Sequence, residues 1–147
     1  MDVVVHLNHL AGGGTEEHAE ALLAAVEATL AVRSDPIAEL SITFTTDEAI
    51  AELNQTYLQR PGPTDVLAFR LDDDPVVGDV YISAETASAN ADRFAVPLRE
   101  ELLRLVIHGT LHLLGHDHPE DDSRQRSDMF RLQESLVDRL LKDLPQR

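Results

Sequence analysis

The sequence predicts an α/β fold: one domain over residues 1–147, built as a small mixed β-sheet packed with helices. Its 147 residues are 43% hydrophobic, which suits a single domain with a sizeable core. Short β-branched or alternating segments are separated by longer segments of helical periodicity. Glycine and proline mark the breaks between them, and the resulting order is β-α-β-α-β-β-α-α-α.

The first half supplies two strands and two helices. Residues 3–5 are β-branched and predict the first strand. Thr15 is expected to cap a helix, because acidic residues fill the first turn that follows it. Residues 40–44 alternate between apolar and polar side chains and predict a half-buried strand. A second helix is expected to open at Thr46.

The second half begins after the break at 61–63 with a predicted hairpin. Strands are expected at 66–69 and 76–83, joined by an acidic loop over 72–75. Ser83 is expected to cap the helix that follows, which extends to Phe94.

Two more helices complete the predicted fold. One has Pro97 in its first turn, reaches Leu114 and stops at Gly115, a residue suited to the left-handed conformation. An amphipathic helix is then expected over 123–144.

Charge and cysteine content exclude several classes of function. Acidic residues number 27 and basic residues 12, so the formal charge is −15, and RNA binding needs a local arginine patch. No DNA partner is expected. The chain has no cysteine, which excludes disulfide scaffolds, thiolate zinc fingers and cysteine nucleophiles. Neither a signal peptide nor a membrane segment is evident, so we expect a cytoplasmic protein without a membrane partner.

Three histidines predict a metal site on a helix that ends in a turn. His108 and His112 are four residues apart, so their rings point the same way from a helix. Gly115 allows the chain to turn back, which brings His118 towards the same point. Three imidazoles hold zinc and leave one coordination position open for chemistry. Nickel or another divalent ion suits the same ligands.

The spacing also approaches the zinc-protease pattern H-E-x-x-H-x-x-G-x-x-H. Gly109 stands where those proteases carry their general base, which argues against a metallopeptidase-like hydrolase without removing it. Asp117 is a candidate catalytic residue by proximity, with an alternative role as a hydrogen-bond partner of a ligand histidine. His116 is expected at the surface rather than in the ligand set.

These residues resemble the YbeY family of bacterial metal-dependent endoribonucleases. The segment 108–118 matches every fixed position of the family motif H-G-x-L-H-L-x-G-x-D-H. Residues 63–69 are similar to the family's P-T-[DN]-V-L-S-F, with Ala68 for serine, and residues 78–83 to its G-D-[IV]-x-[IV]-[SC] strand.

The resemblance implies single-strand-specific RNA cleavage in small-subunit rRNA 3′-end maturation and ribosome quality control. It implies one zinc-like ion on His108, His112 and His118, single-stranded rRNA as substrate, and the ribosomal small subunit with its assembly proteins as partners. Many family members carry an active-site arginine where this chain has Leu58, so Arg60 is the candidate replacement. A zinc-stabilised, non-catalytic module for ribosome assembly is the alternative, because an acidic surface suits a basic protein partner.

Overall fold

A four-stranded mixed sheet forms one layer of the fold in a computed structural model that describes residues 3–10, 14–32, 37–73, 75–116 and 123–144. In chain order, the strands are β1 Val4–His9, β2 Ile37–Thr45, β3 Val66–Asp73 and β4 Val76–Ser83. Their order in the sheet is β1-β2-β4-β3. The β1–β2 and β2–β4 pairs are parallel and the β3–β4 hairpin is antiparallel. The predicted α/β class with a mixed sheet is confirmed.

Five α-helices surround and connect these strands in the described part of the chain. They are α1 Ala19–Ala31, α2 Asp47–Leu58, α3 Ala84–Arg93, α4 Leu98–Leu111 and α5 Ser123–Asp143. A 3-10 turn over Glu16–His18 precedes α1, and a turn over His112–His116, kinked at Gly115 with φ of +89°, follows α4. No helix among the described residues is both long and apolar enough to cross a membrane.

Two helices begin where the sequence predicts. The Thr46 hydroxyl accepts a hydrogen bond from the Ala49 amide at 3.2 Å, and the Ser83 hydroxyl accepts one from the Thr86 amide at 3.1 Å. Each side chain satisfies an amide that the first helical turn leaves without a backbone partner.

Four local predictions are wrong in detail. Thr15 does not cap a helix, because its buried hydroxyl pairs with His9 Nδ1 at 2.8 Å. The first strand extends from Val4 to His9 because β2 offers it six paired residues. Asp72 and Asp73 belong to β3, whose register shift lets them pair with β4, and Pro97 lies at the cap rather than inside the first turn of α4.

Helix α4 lies at the centre of the core. It packs against α1, α3 and α5 and against the β3–β4 hairpin. A Cβ added to Gly109 would lie 2.7 Å from Val80 Cγ1 and 3.0 Å from Val66 Cγ2. Helix and sheet therefore approach more closely at this point than any larger residue allows, and this contact fixes the height of the helix above the sheet.

Candidate metal centre

His108 and His112 form a pair at the C-terminal end of α4. Their Nε2 atoms are 2.8 Å apart, and their rings lie 4.3 Å apart at 70° to each other. Both side chains are half-buried, so the pair remains open to a ligand from outside. The structure thus brings together two of the three predicted ligands in the predicted arrangement.

A glutamine from α5 contacts the other side of His108. The Oε1 atom of Gln133 lies 2.7 Å from His108 Nδ1. A carbonyl oxygen only accepts hydrogen bonds, so Nδ1 carries the ring proton and donates it. The neutral ring then presents an unprotonated Nε2, which is the form that binds a metal.

The donor chemistry of this pair fits a divalent ion such as zinc. The Nε2 atoms, 2.8 Å apart, share one hydrogen bond in the absence of an ion, and once that proton leaves, both lone pairs are free to bind the same metal. His118 and Asp117 lie outside the described residues. Within the described ranges, no group of three His, Asp or Glu side chains is arranged to hold a metal ion, so the three-histidine site stays a prediction.

Two cavities meet at the histidine pair, and both are lined by His108, His112 and Asp65. The first, which we call the arginine cleft, has a volume of about 350 Å³ and includes Arg60 and Arg70. The second, which we call the phenylalanine cleft, has a volume of about 470 Å³ and includes Phe94 and Phe130. A polymer chain passing the histidines would contact both clefts.

Arg60 lies in the arginine cleft just after α2. The helix ends at Gln59, which adopts the left-handed conformation with φ of +52°, and the Arg60 amide then donates to the Asn54 carbonyl. This turn brings residue 60 to the same cleft as Leu58. In the described part of the chain, the Arg60 guanidinium forms no ion pair. The catalytic role of Arg60 stays a prediction, now with a position that suits it.

Arg70 is already engaged in structural contacts. Its Nη1 atom donates to the Leu113 carbonyl at 2.6 Å, and its Nε atom pairs with Asp73 at 2.8 Å. The Leu113 contact connects β3 to the turn that follows α4.

Sequence reasoning missed Gln133 and the two charged residues behind it. Gln133 is only 5% exposed, and its Nε2 donates to the Glu134 carboxylate at 3.1 Å. Arg104 contacts that carboxylate from α4 at 2.8 Å. A signal was present: Gln133 interrupts the apolar face that Met129 and Val137 define one turn away on each side.

Electrostatic interactions reinforce the contact between Arg104 and Glu134. The hydrogen bond to Glu134 raises the pKa of Arg104 above its ordinary value, against the opposing effect of burial. Burial alone would raise the pKa of Glu134, but hydrogen bonds from Arg104 and Gln133, together with the Arg104 charge, lower it. Both groups are therefore charged at neutral pH.

Gly109 also bears on the metallopeptidase alternative. Its Cα faces Val66 and Val80 of the sheet, and the residue is buried. A glutamate at this position would collide with the sheet. The protease arrangement, with its general base directly after the first histidine, therefore does not fit this packing.

Comparison with known proteins identifies the family. A family model described as endoribonuclease YbeY matches residues 9–141. The chain belongs to the YbeY endoribonuclease family. The resemblance predicted from the histidine motif is confirmed, and with it the prediction of an endoribonuclease family rather than a peptidase.

Individual relatives of the YbeY family agree over most of the chain. Endoribonuclease YbeY of Persephonella marina is 42% identical over 108 residues, which are 69% of this chain and 70% of the relative. The YbeY of a Sulfurihydrogenibium species is 43% identical over 111 residues, or 72% of each chain. The solution structure of a Thermotoga maritima protein superposes with a TM-score of 0.67 at 30% identity, covering 93% of this chain and 90% of the other.

Proposed function

We propose that this YbeY-family chain is a metal-dependent endoribonuclease for single-stranded RNA. The observation that carries the proposal is the pair of converging Nε2 atoms on His108 and His112, next to two open clefts. We assign His118 as the third ligand on the motif spacing. Zinc is the first candidate ion, and nickel or another divalent ion is compatible with imidazole ligands.

The proposed cleavage of the phosphodiester depends on positive charge placed beside the phosphate. When bound, a divalent ion supplies Lewis-acid stabilisation of phosphoryl oxygens and a water of lowered pKa. Arg60 would contact the same phosphate from the arginine cleft. A planar guanidinium binds two phosphoryl oxygens at once, so it stabilises the additional negative charge of the transition state. Asp117 is proposed to orient a ligand histidine or accept a proton.

The phenylalanine cleft would bind the base beside the scissile phosphate. Phe94 and Phe130 lie in its lining and are 58% and 60% exposed, which is unusual for large apolar side chains. Aromatic faces stack on any base that is free of a partner strand, and such stacking contributes about 1–3 kcal/mol per base. A base within a duplex is already stacked, so this cleft favours single strands.

We further propose a cytoplasmic role in maturation of the 3′ end of small-subunit rRNA and in ribosome quality control. With a formal charge of −15, the chain repels naked RNA at long range. Basic proteins of the small subunit or of its assembly machinery would reduce that repulsion. This makes them the proposed protein partners.

The test is cleavage of a labelled single-stranded RNA and of the same RNA in a duplex, with added zinc and with a chelator. H112A is purified in parallel, and H6A is the matched control because His6 lies on β1 and pairs with Glu39. We expect zinc-dependent cleavage of the single strand by the wild type and by H6A, but not by H112A. Equal cleavage by H112A would refute the proposal.

A second result would favour the binding-module alternative. If the wild type binds zinc and cleaves neither free RNA nor RNA on isolated small subunits, the site has a structural role.

A further inference from the structure

Behind His108, four side chains form a chain of hydrogen bonds between α4 and α5, which the backbone of α4 closes into a ring. His108 donates from Nδ1 to Gln133 Oε1 at 2.7 Å, and Gln133 Nε2 donates to Glu134 Oε2 at 3.1 Å. Arg104 Nε donates to the same Oε2 at 2.8 Å, and its Nη2 reaches Oε1 at 3.0 Å. Arg104 and His108 are four residues apart on one helix, so the ring closes on α4 itself.

Only one orientation of the Gln133 amide satisfies this ring. The Glu134 carboxylate is held ionised by Arg104, so it only accepts hydrogen bonds and must face the NH₂ group of Gln133. The amide oxygen then faces His108. A flipped amide would place its oxygen against the Glu134 carboxylate oxygen, where neither atom carries a proton.

Arg104 is itself fixed from several directions. Its Nη1 contacts Glu101 at 3.0 Å and its Nη2 contacts Glu100 at 3.1 Å. Glu101 is 4% exposed and also accepts a hydrogen bond from Asn90 of α3 at 3.3 Å. The anchor of the ring thus involves three helices, and little freedom remains for the guanidinium.

We propose that Gln133 is the positioning residue for His108, and that Arg104 and Glu134 act through it. The hydrogen-bonded ring holds His108 with its proton on Nδ1, and its Nε2 lone pair is directed at the point where the two imidazoles converge. The prediction for metal affinity rests on the proposed metal dependence. The prediction for the tautomer concerns the metal-free protein and stands separately.

The tautomer is measured by ¹⁵N NMR of the imidazole nitrogens in the metal-free chain at a pH where His108 is neutral. We expect the wild type to carry the proton on Nδ1. Q133L removes the acceptor and Q133N withdraws it by one methylene, so both should shift His108 towards the Nε2-protonated form. The exchange Q133E/E134Q keeps an acceptor for Nδ1–H and an amide beside it, without two adjacent carboxylates, and should retain the wild-type tautomer.

Zinc affinity is measured by competition with a chelator on the same variants. Loss of such a supporting hydrogen bond typically weakens metal binding about 10–100-fold. We expect that loss for Q133L and Q133N, and near wild-type affinity for Q133E/E134Q. V137A is the control, because Val137 is buried one turn further along α5 and its loss lowers stability without touching the ring.

Two results would overturn the inference: an unchanged His108 tautomer in folded Q133L and Q133N, or a loss of affinity in V137A equal to theirs. Should the wild type bind no zinc, the proposed function fails. The tautomer data would then still decide the role of Gln133.

Discussion

Replacing Gly109 with alanine tests whether the contact between α4 and the sheet positions the histidines. The new methyl group would lie 2.7 Å from Val80 Cγ1 and 3.0 Å from Val66 Cγ2. Carbon atoms in contact normally lie about 3.5–4.0 Å apart, so the closer contact is short by about 1 Å. Val80 is fully buried, β-branched and held by its strand, so the helix must move instead.

Two opposing energies set the expected effect on stability. Overpacking of a core typically costs about 1–3 kcal/mol. Alanine is the better helix former by about 1 kcal/mol, which offsets part of that cost. We therefore expect G109A to lose about 0–2 kcal/mol in its free energy of unfolding. A displacement near 1 Å at the catalytic groups can lower activity about 100-fold.

The assay compares G109A, V80A and the double variant by denaturant unfolding, zinc competition and cleavage of single-stranded RNA. V80A removes the methyl groups that the new side chain meets, so the double variant should recover part of the lost cleavage. The coupling free energy between the two sites should be favourable and about 1 kcal/mol or more.

One result would refute this reasoning. If G109A cleaves RNA like the wild type and is more stable by about 1 kcal/mol, only the helix-propensity term operates and the close approach does not position the site.

Four further outcomes are expected. R60A should cleave RNA more slowly while binding zinc as the wild type does, and an equal loss of zinc binding would contradict the proposed role. F130A should raise KM for single-stranded RNA with little change in kcat, and an unchanged KM would exclude stacking. G115A should lose about 1–2 kcal/mol in its free energy of unfolding, because φ is +89° and no atom lies within 4 Å of an added Cβ. G115N should lose less, because asparagine tolerates the left-handed conformation better. Equal losses in stability would contradict a purely conformational cost. The pKa of Glu134 is lowered in the folded state, so its stabilising effect is complete above the unfolded pKa and is lost as pH falls through the folded pKa. The difference in unfolding free energy between wild type and E134Q should therefore shrink on acidification. A difference that stays constant with pH would contradict this assignment.

The sequence predicted the fold well where local patterns determine the structure. Capping hydroxyls at Thr46 and Ser83 and the positive φ at Gly115 are local chemistry, so their positions follow from a few neighbouring residues. Thr15 failed as a cap because its hydroxyl found a partner in His9, six residues earlier on another element. Contacts of that kind depend on the tertiary arrangement and leave no local pattern.

In the candidate site, too, the sequence predicted the local contacts but not those that depend on the tertiary arrangement. Spacing along one helix was enough to pair His108 with His112. Gln133 comes from another helix, and its partner lies 25 residues earlier, so no spacing rule connects them. Arg60 is intermediate: the sequence named it as a candidate, and its cleft became visible only with the turn that ends α2.

The turn after α4 has a consequence for insertions and deletions. Over His112–His116 the chain leaves the helix, with Gly115 at a φ of +89°, and Leu113 and Leu114 are both buried there. Leu113 fills the space above Gly78, while Leu114 packs with Ile37 and Val76. Removing a single residue just before the two leucines would rotate them by about 100° about the helix axis and detach them from these contacts. Chain length in this segment is therefore more tightly constrained than residue identity, and substitutions should be tolerated here more readily than a change in length.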